Sequence, residues 1–518
     1  MLRLFLVTLF FLCSFIKANE ESVSSNLSDY ISEECQEKDK EQCEVELEDS
    51  NSIYVVPSDL SKPIESDPDL VVTGTEGASN TSYGLNALAV STGLGNTAIG
   101  SAALNKNTSG EGNTAVGTFA MVDNTTGSYN TAIGYQSLFE NTTGDMNTAL
   151  GDSTLVFNTD GAQNVAIGFQ AMFANSTGSD NLAIGVGALQ SNTTANNNIA
   201  IGTAALYANT TGQYNVAIGK QSLYSLVDGS LNTAIGYQAL NANTGGNNTA
   251  MGALAMLLNT SGQYNTAMGS AALGYNTTGD SNVAMGMTSL GNNTTGSYNT
   301  ALGAGALQWN TTADHNTAIG YGAMNSNTTG AYNTTVGRAM FDNTTGSNNT
   351  AIGYLALYNN TTASNNSALG YAALFTNTTG YMNTAIGDSS LKYLTEGYKN
   401  TAIGVDALLD LTTGKFNTAL GQGACSSNET GQKNVCLGNQ AGESTTGDGN
   451  VFIGYQAGQS ETGSNKLYIS SANSDLITGD FSTGDLTLGQ AAVNGQGGTV
   501  SILNDADIDG DLALGSIT

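Results

Sequence analysis

One phrase, N-T-A-I-G-Y-Q-A-L-x-x-N-T-T-G-x-x, recurs through most of this chain and limits its fold more than any other feature. With the Asn of each N-T-A-I-G-like motif as anchor, 23 units run from Asn80 to Asn450 at a step of 17 residues, in places 16. A short fixed period implies a solenoid or fibre, because each unit finds a partner for its apolar face only in its neighbours.

The positions of the unit, numbered 1 to 17 from the anchor, have separate readings. Position 1 is Asn and position 5 is Gly in every unit, as at Asn232 and Gly236 or Asn299 and Gly303. A site that never accepts a Cβ needs positive φ or close backbone approach. The invariant Asn suits a turn or a stacked amide ladder. Position 4 is Ile, Leu, Met or Val in nearly every unit, and position 9 is usually Leu or Met, as at Leu240 and Leu307. Both are expected to point into the coil, with the near-constant Ala of position 3 in a tight place. Positions 2–4 alternate as a strand does. A second short strand is expected over positions 6–10, with one helical turn there as the alternative.

The expected fold is therefore all-β, a parallel β-solenoid or β-roll of about 23 coils. No Pro interrupts the array; Pro57, Pro63 and Pro68 all precede it, as coil-to-coil hydrogen bonding requires. Stacked strands rise about 4.8 Å, giving a rod of roughly 110 Å. Coils this small enclose a thin core, so an apolar face should remain for other chains. A parallel homotrimer is the expected closed assembly.

The array separates two different ends. Residues 1–18 carry Arg3, an apolar run from Leu4 to Ile16 and a small Ala18, the pattern of a secretory signal peptide. Residues 19–79 form an acidic leader, with 16 acids against three lysines from Asn19 to Leu70, expected to be disordered or extended. The array spans 80–464. Residues 465–518 read as a β-rich C-terminal module of short alternating strands. No segment after residue 18 is long and apolar enough for a transmembrane helix. The expected location is secreted or extracellular, on a cell surface or a virion fibre. Beyond the signal, Cys35 with Cys43 and Cys425 with Cys436 form two local pairs, candidates for disulfides in an exported chain. Cys425 and Cys436 occupy inward positions, where buried thiols are the alternative.

Charge excludes one class of partner. The formal net charge is −30, with 13 basic residues and no visible cluster of them, so nucleic-acid binding by counterion release is not expected.

Position 12 often begins an N-x-[ST] sequon, as at Asn107, Asn124, Asn141, Asn276, Asn293, Asn310 and Asn327. These are candidate glycosylation sites or a structural Asn ladder. Leu226, Leu394 and Leu411 take the same position, which favours the inward, structural role. D-A-D-I-D-G-D at 505–511 matches the front of a calcium loop, but Ser516 stands where a bidentate acid belongs. The unique His315 and Trp309 sit at variable positions. The recurring Tyr of position 17, as at Tyr129, Tyr298 and Tyr332, reads as a stacking ladder. No nucleophile–base pair, paired carboxylates or phosphate loop is found, so no enzyme, cofactor or metal is expected.

The unit N-T-A-I-G, followed by small residues and a second Gly, resembles the head repeats of trimeric autotransporter adhesins. The stretch N-V-F-I-G-Y-Q-A-G-Q-S-E-T-G-S-N-K-L-Y-I-S-S-A-N-S-D-L-I-T-G-D-F-S-T-G-D-L-T-L-G over residues 450–489 is similar to distal regions of phage and viral tail fibres. The resemblance implies a trimeric, left-handed β-roll in an extracellular fibre. Its period differs, since those heads usually repeat over fewer residues. The function expected is a secreted structural or adhesive fibre whose rigid rod displays binding surfaces to a cell-surface or glycan receptor. An ice-binding solenoid and a glycan-processing β-helix enzyme are the alternatives.

Overall fold

The computed structural model describes residues 80–472 and 474–488. Residues 80–464 form a parallel β-solenoid with one three-residue strand per coil, from β1 (Thr81–Tyr83) to β23 (Val451–Ile453). Each strand pairs in parallel with the next and in strict register, so that Thr233, Ala234 and Ile235 meet Thr249, Ala250 and Met251. The described residues contain no helix. The signal peptide, the whole leader, Cys35, Cys43 and the 505–511 loop lie outside the described residues.

The strand turns its faces opposite to expectation. Position 3 points in: Ala98, Ala132, Ala234 and their equivalents are fully buried. Position 4 points out, and Ile133, Leu150 and Leu369 are 38%, 43% and 46% exposed. Strand side chains alternate, so only one of two neighbours can face the core. In so narrow a coil the smaller residue goes in, beside Ala239 and Leu240 of positions 8 and 9, both fully buried.

The second strand expected over positions 6–10 is absent, and so is its helical alternative. The chain makes consecutive tight turns, with left-handed φ of 54° at Gln238 and 52° at Leu240. Alternating backbone hand sends successive amides in opposite directions along the stack. The Gln238 N–H donates to the Lys220 carbonyl of the coil before (3.0 Å), and the Leu240 N–H to the Ala255 carbonyl of the coil after (3.0 Å). Between them the Ala239 N–H closes a turn on the Gly236 carbonyl (3.3 Å). Left-handed Leu is costly by itself, on the order of 1–2 kcal/mol; full burial of the side chain and a backbone bond to the next coil offset it.

Gly236 shows why position 5 is invariant. Its φ is +136°, and a Cβ there would stand 2.5 Å from the Gly252 carbonyl oxygen directly along the stack. Backbone conformation and stacking each forbid a side chain.

Two interior asparagine ladders hold the coils together. At position 1, the Asn130 N–H donates to Asn113 Oδ1 (2.9 Å) and its Nδ2 to the Gly144 carbonyl of its own coil (2.8 Å). At position 12, Asn141 Nδ2 donates to Asn124 Oδ1 (2.8 Å) and to the same Gly144 carbonyl (3.0 Å). One ladder closes each coil and both join it to its neighbours. Outside them, Thr142 of position 13 donates both its N–H (2.8 Å) and its Oγ1 (3.0 Å) to the Thr159 carbonyl.

The exceptions follow the same physics. Leu226 and Leu394 are buried at position 12, and the preceding Asn209 and Asn377 each keep an Oδ1 without a donor. Near the end, Gly442 and Gly458 replace the Leu of position 9, and Phe452 replaces the Ala of position 3. The fully buried Phe452 ring fills the space those leucines would take.

Position 465 is not a break in the sheet. β24 (Lys466–Ser471) pairs in parallel with β23, then β25 (Ser474–Asp480) and β26 (Asp485–Leu488) add antiparallel strands.

Three substitutions test this account. Gly236→Ala should cost about 3 kcal/mol, whereas Thr233→Val, a residue that position already uses, should change stability by less than about 0.5 kcal/mol. Asn276→Leu, which orphans the Asn259 oxygen, should cost about 2 kcal/mol. Urea unfolding with hydrogen exchange at the affected coils measures all three.

Candidate functional site

Ala, Leu and amide side chains occupy the interior of the described coils. Of the two readings of the sequons, the structure has the inward Asn ladder. Asn107, Asn124, Asn141, Asn276, Asn293, Asn310 and Asn327 are all fully buried. Their Nδ2 atoms, which a glycan would modify, already donate within the interior, as Asn293 Nδ2 does to Asn276 Oδ1 (2.8 Å) and the Gly296 carbonyl (2.8 Å). The repeat residues Asn232, Leu240, Asn299 and Leu307 are likewise fully buried, and Gly303 has φ +133° under the Gly320 carbonyl.

Cys425 and Cys436 are joined by a disulfide between adjacent coils, with Cα atoms 6.0 Å apart. Both are buried, at positions 9 and 3. The bridge therefore replaces inward apolar residues.

What the molecule can use is its outside, and one part of it is uniform. Positions 2 and 4 form two parallel rows on the outer strand face. The first is Thr, Val, Ile, Leu or Ser; the second is Ile, Leu, Met or Val after Tyr83. Neither row carries a charge in any of the 23 coils, although the chain has a net charge of −30. None of the position-4 side chains is buried. Past the Gly corner, position 6 extends this surface with exposed Tyr135, Phe169, Tyr237, Tyr321, Tyr354 and Tyr371. The sequence signal for this face was the constant apolar position 4, read with the wrong sign.

Other edges carry aromatic stacks. His315 lies between Tyr298 and Tyr332, with ring centroids 4.9 Å away on each side, as expected of a ladder at position 17. Trp309 is half-exposed at position 11.

One carboxyl is perturbed within the array. Asp410 sits in a shallow open depression with Thr376, Tyr393, Thr395, Thr412 and Glu429. Partial burial raises its pKa above the ordinary carboxylate range, aided by the charges of Glu429 and Asp406. Among the described residues no group of three or more His, Cys, Asp or Glu is placed to hold a metal ion. No helix of the described residues is long and apolar enough to cross a membrane.

Comparison with family models, curated proteins and solved structures finds no match.

Two outcomes follow. In folded protein made through a eukaryotic secretory pathway, peptide mass spectrometry should find Asn124, Asn141 and Asn293 unmodified. Asp410→Asn should raise the melting temperature at pH 7. A raised folded-state pKa means that the charged form penalises the fold, and the penalty disappears as pH falls through that pKa. The variant and parent should therefore converge near about pH 3, below the carboxylate range.

Proposed function

We propose that the protein is an exported structural fibre with adhesive surfaces, assembled from parallel copies of this chain. The observation that carries the reading is the uncharged row at position 4, continuous through the whole array and open to solvent in the single chain. Exposed apolar patches of such extent mark interaction sites. The partner that fits best is a second and third copy. An identical rise lets every coil meet its equivalent, so the contact extends along the entire stack. Three chains facing a common axis would cover the row and close the assembly, as the resemblance to trimeric adhesin heads suggests.

The mechanism is geometric. A stack cross-braced by two amide ladders resists bending and holds its outer edges at fixed spacing. Weak contacts repeated along the coils, and again on each chain, then add as avidity. The signal-like residues 1–18 support export, and the Cys425–Cys436 disulfide fits an oxidising compartment.

Light scattering tests the assembly. The secreted protein should have the mass of three chains, and a variant with Ile201→Lys, Ile235→Lys and Met268→Lys should be monomeric with unchanged circular dichroism. A monomeric parent would sink the proposal. The outward Thr row of position 2 keeps an ice-binding reading alive as the second choice. Thermal hysteresis of the monomeric array would support it, and its absence would remove it.

A further inference from the structure

The 13 basic residues look scattered along the chain, but the coil period brings three of them together. Lys399 and Lys433 are at position 17 and Lys415 at position 16, in the successive coils anchored at Asn383, Asn400 and Asn417. All three therefore lie on one edge, along the stacking axis. Tyr381, Tyr398 and Phe416 are interleaved with them. Tyr381 and Tyr398 stack at 4.9 Å with an interplanar angle of 6°. Lys415 Nζ lies 5.3 Å from the Tyr398 ring centre and Lys399 Nζ 5.4 Å from that of Phe416.

These lysines have no carboxylate partner. The ion pairs among the described residues are Lys106–Asp123 and Lys466–Asp480, although the chain has 43 acidic residues. Glu396 and Asp448 are on the same or the adjoining coils, outside ion-pair distance. A chain this acidic that leaves three grouped ammonium groups unpaired presents a local site for anions. The net charge of −30 opposes an anionic partner at long range, but screening limits that opposition to about 8 Å at physiological ionic strength.

We propose that this edge binds an acidic polysaccharide laid along the stacking axis. This rests on the reading of the array as a displayed adhesive rod and names one class of its partners. The ligand's repeat is the first argument. Sugar units of an extended chain advance by a distance close to the coil rise of about 4.8 Å, so consecutive acidic units meet consecutive ammonium groups. The second argument is the occupation of the rings. The facing sides of Tyr381 and Tyr398 are closed by each other, and Lys415 lies over Tyr398. A nucleic-acid base has little open ring face to stack on, which is what single-strand binding uses. The edge instead presents ammonium groups and phenolic hydroxyls, donors suited to a polymer of hydroxyls and acids.

The test uses the full chain against four probes at low and physiological salt: alginate, heparin, neutral dextran and a single-stranded thymidine oligonucleotide. Alginate or heparin should bind, which separates a carboxylate from a sulfate preference, and dextran should not. Binding should weaken about tenfold in Lys399→Gln/Lys415→Gln/Lys433→Gln, the sum expected of three exposed charge contacts. It should be unchanged in Lys106→Gln/Lys220→Gln. Failure of both polyanions, equal binding by the triple variant, or tighter binding of the oligonucleotide would each overturn the proposal. Light scattering on the same samples separates the two readings. Assembled rods that ignore polyanions refute only this site, and monomers that bind them refute only the fibre.

Discussion

The side-chain amide of a buried asparagine is the interaction on which the rest of this structure depends. A buried amide is costly unless its donors and acceptor are paired. Here the next coil supplies the pairing, because it carries the same amide at the same height. Asn130 and Asn141 both donate to the Gly144 carbonyl, so one backbone oxygen spends both lone pairs on the interior. The arrangement works only in a stack. An isolated coil would have half its amides unpaired, as the orphaned oxygens of Asn209 and Asn377 show on a small scale. Cooperativity between coils is thus a hydrogen-bond requirement as much as an apolar one.

This also explains why the interior is so small. The ladders need the coil walls close enough for Nδ2 to reach across to a backbone carbonyl. That distance leaves space for Ala234, Ala239 and Leu240 but not for Ile235. The large β-branched residues are displaced outward, and the single chain is left with an apolar exterior row. That row is the surface which the proposed self-association would cover. The same constraint is relaxed once, where Gly442 and Gly458 admit Phe452.

Much of the fold was legible because the period was legible. Gly236 and its equivalents announced a site without a Cβ, and the substitution of Leu226 and Leu394 for Asn announced an inward position 12. Two features were not readable. Hydrophobicity alone put Ile at position 4 inside, since size and apolarity favour burial in ordinary cores; here available width decided instead. The left-handed conformation of Leu240 contradicts the residue's own preference and exists only because the neighbouring coils fix it. The edge with Lys399, Lys415 and Lys433 was hidden for a third reason. Residues 16 to 18 apart look dispersed in a linear sequence, and only the coil makes them neighbours.

Five coils run to 16 residues. That of Asn333 keeps Thr344 and Thr345 and is one residue shorter between Gly337 and Met340; the other four, those of Asn80, Asn232, Asn434 and Asn450, lack position 14, the second Thr of the T-T-G corner. That residue is exposed where it occurs, as at Thr143 and Thr278, and no interior ladder uses it. The interior of a consensus coil is complementary to its own copy, whereas this corner tolerates editing. Whole units can therefore be gained or lost by in-frame duplication or deletion without redesigning any contact. Array length becomes a heritable quantity that changes in steps of one coil, each added coil bringing its own interface with its neighbours.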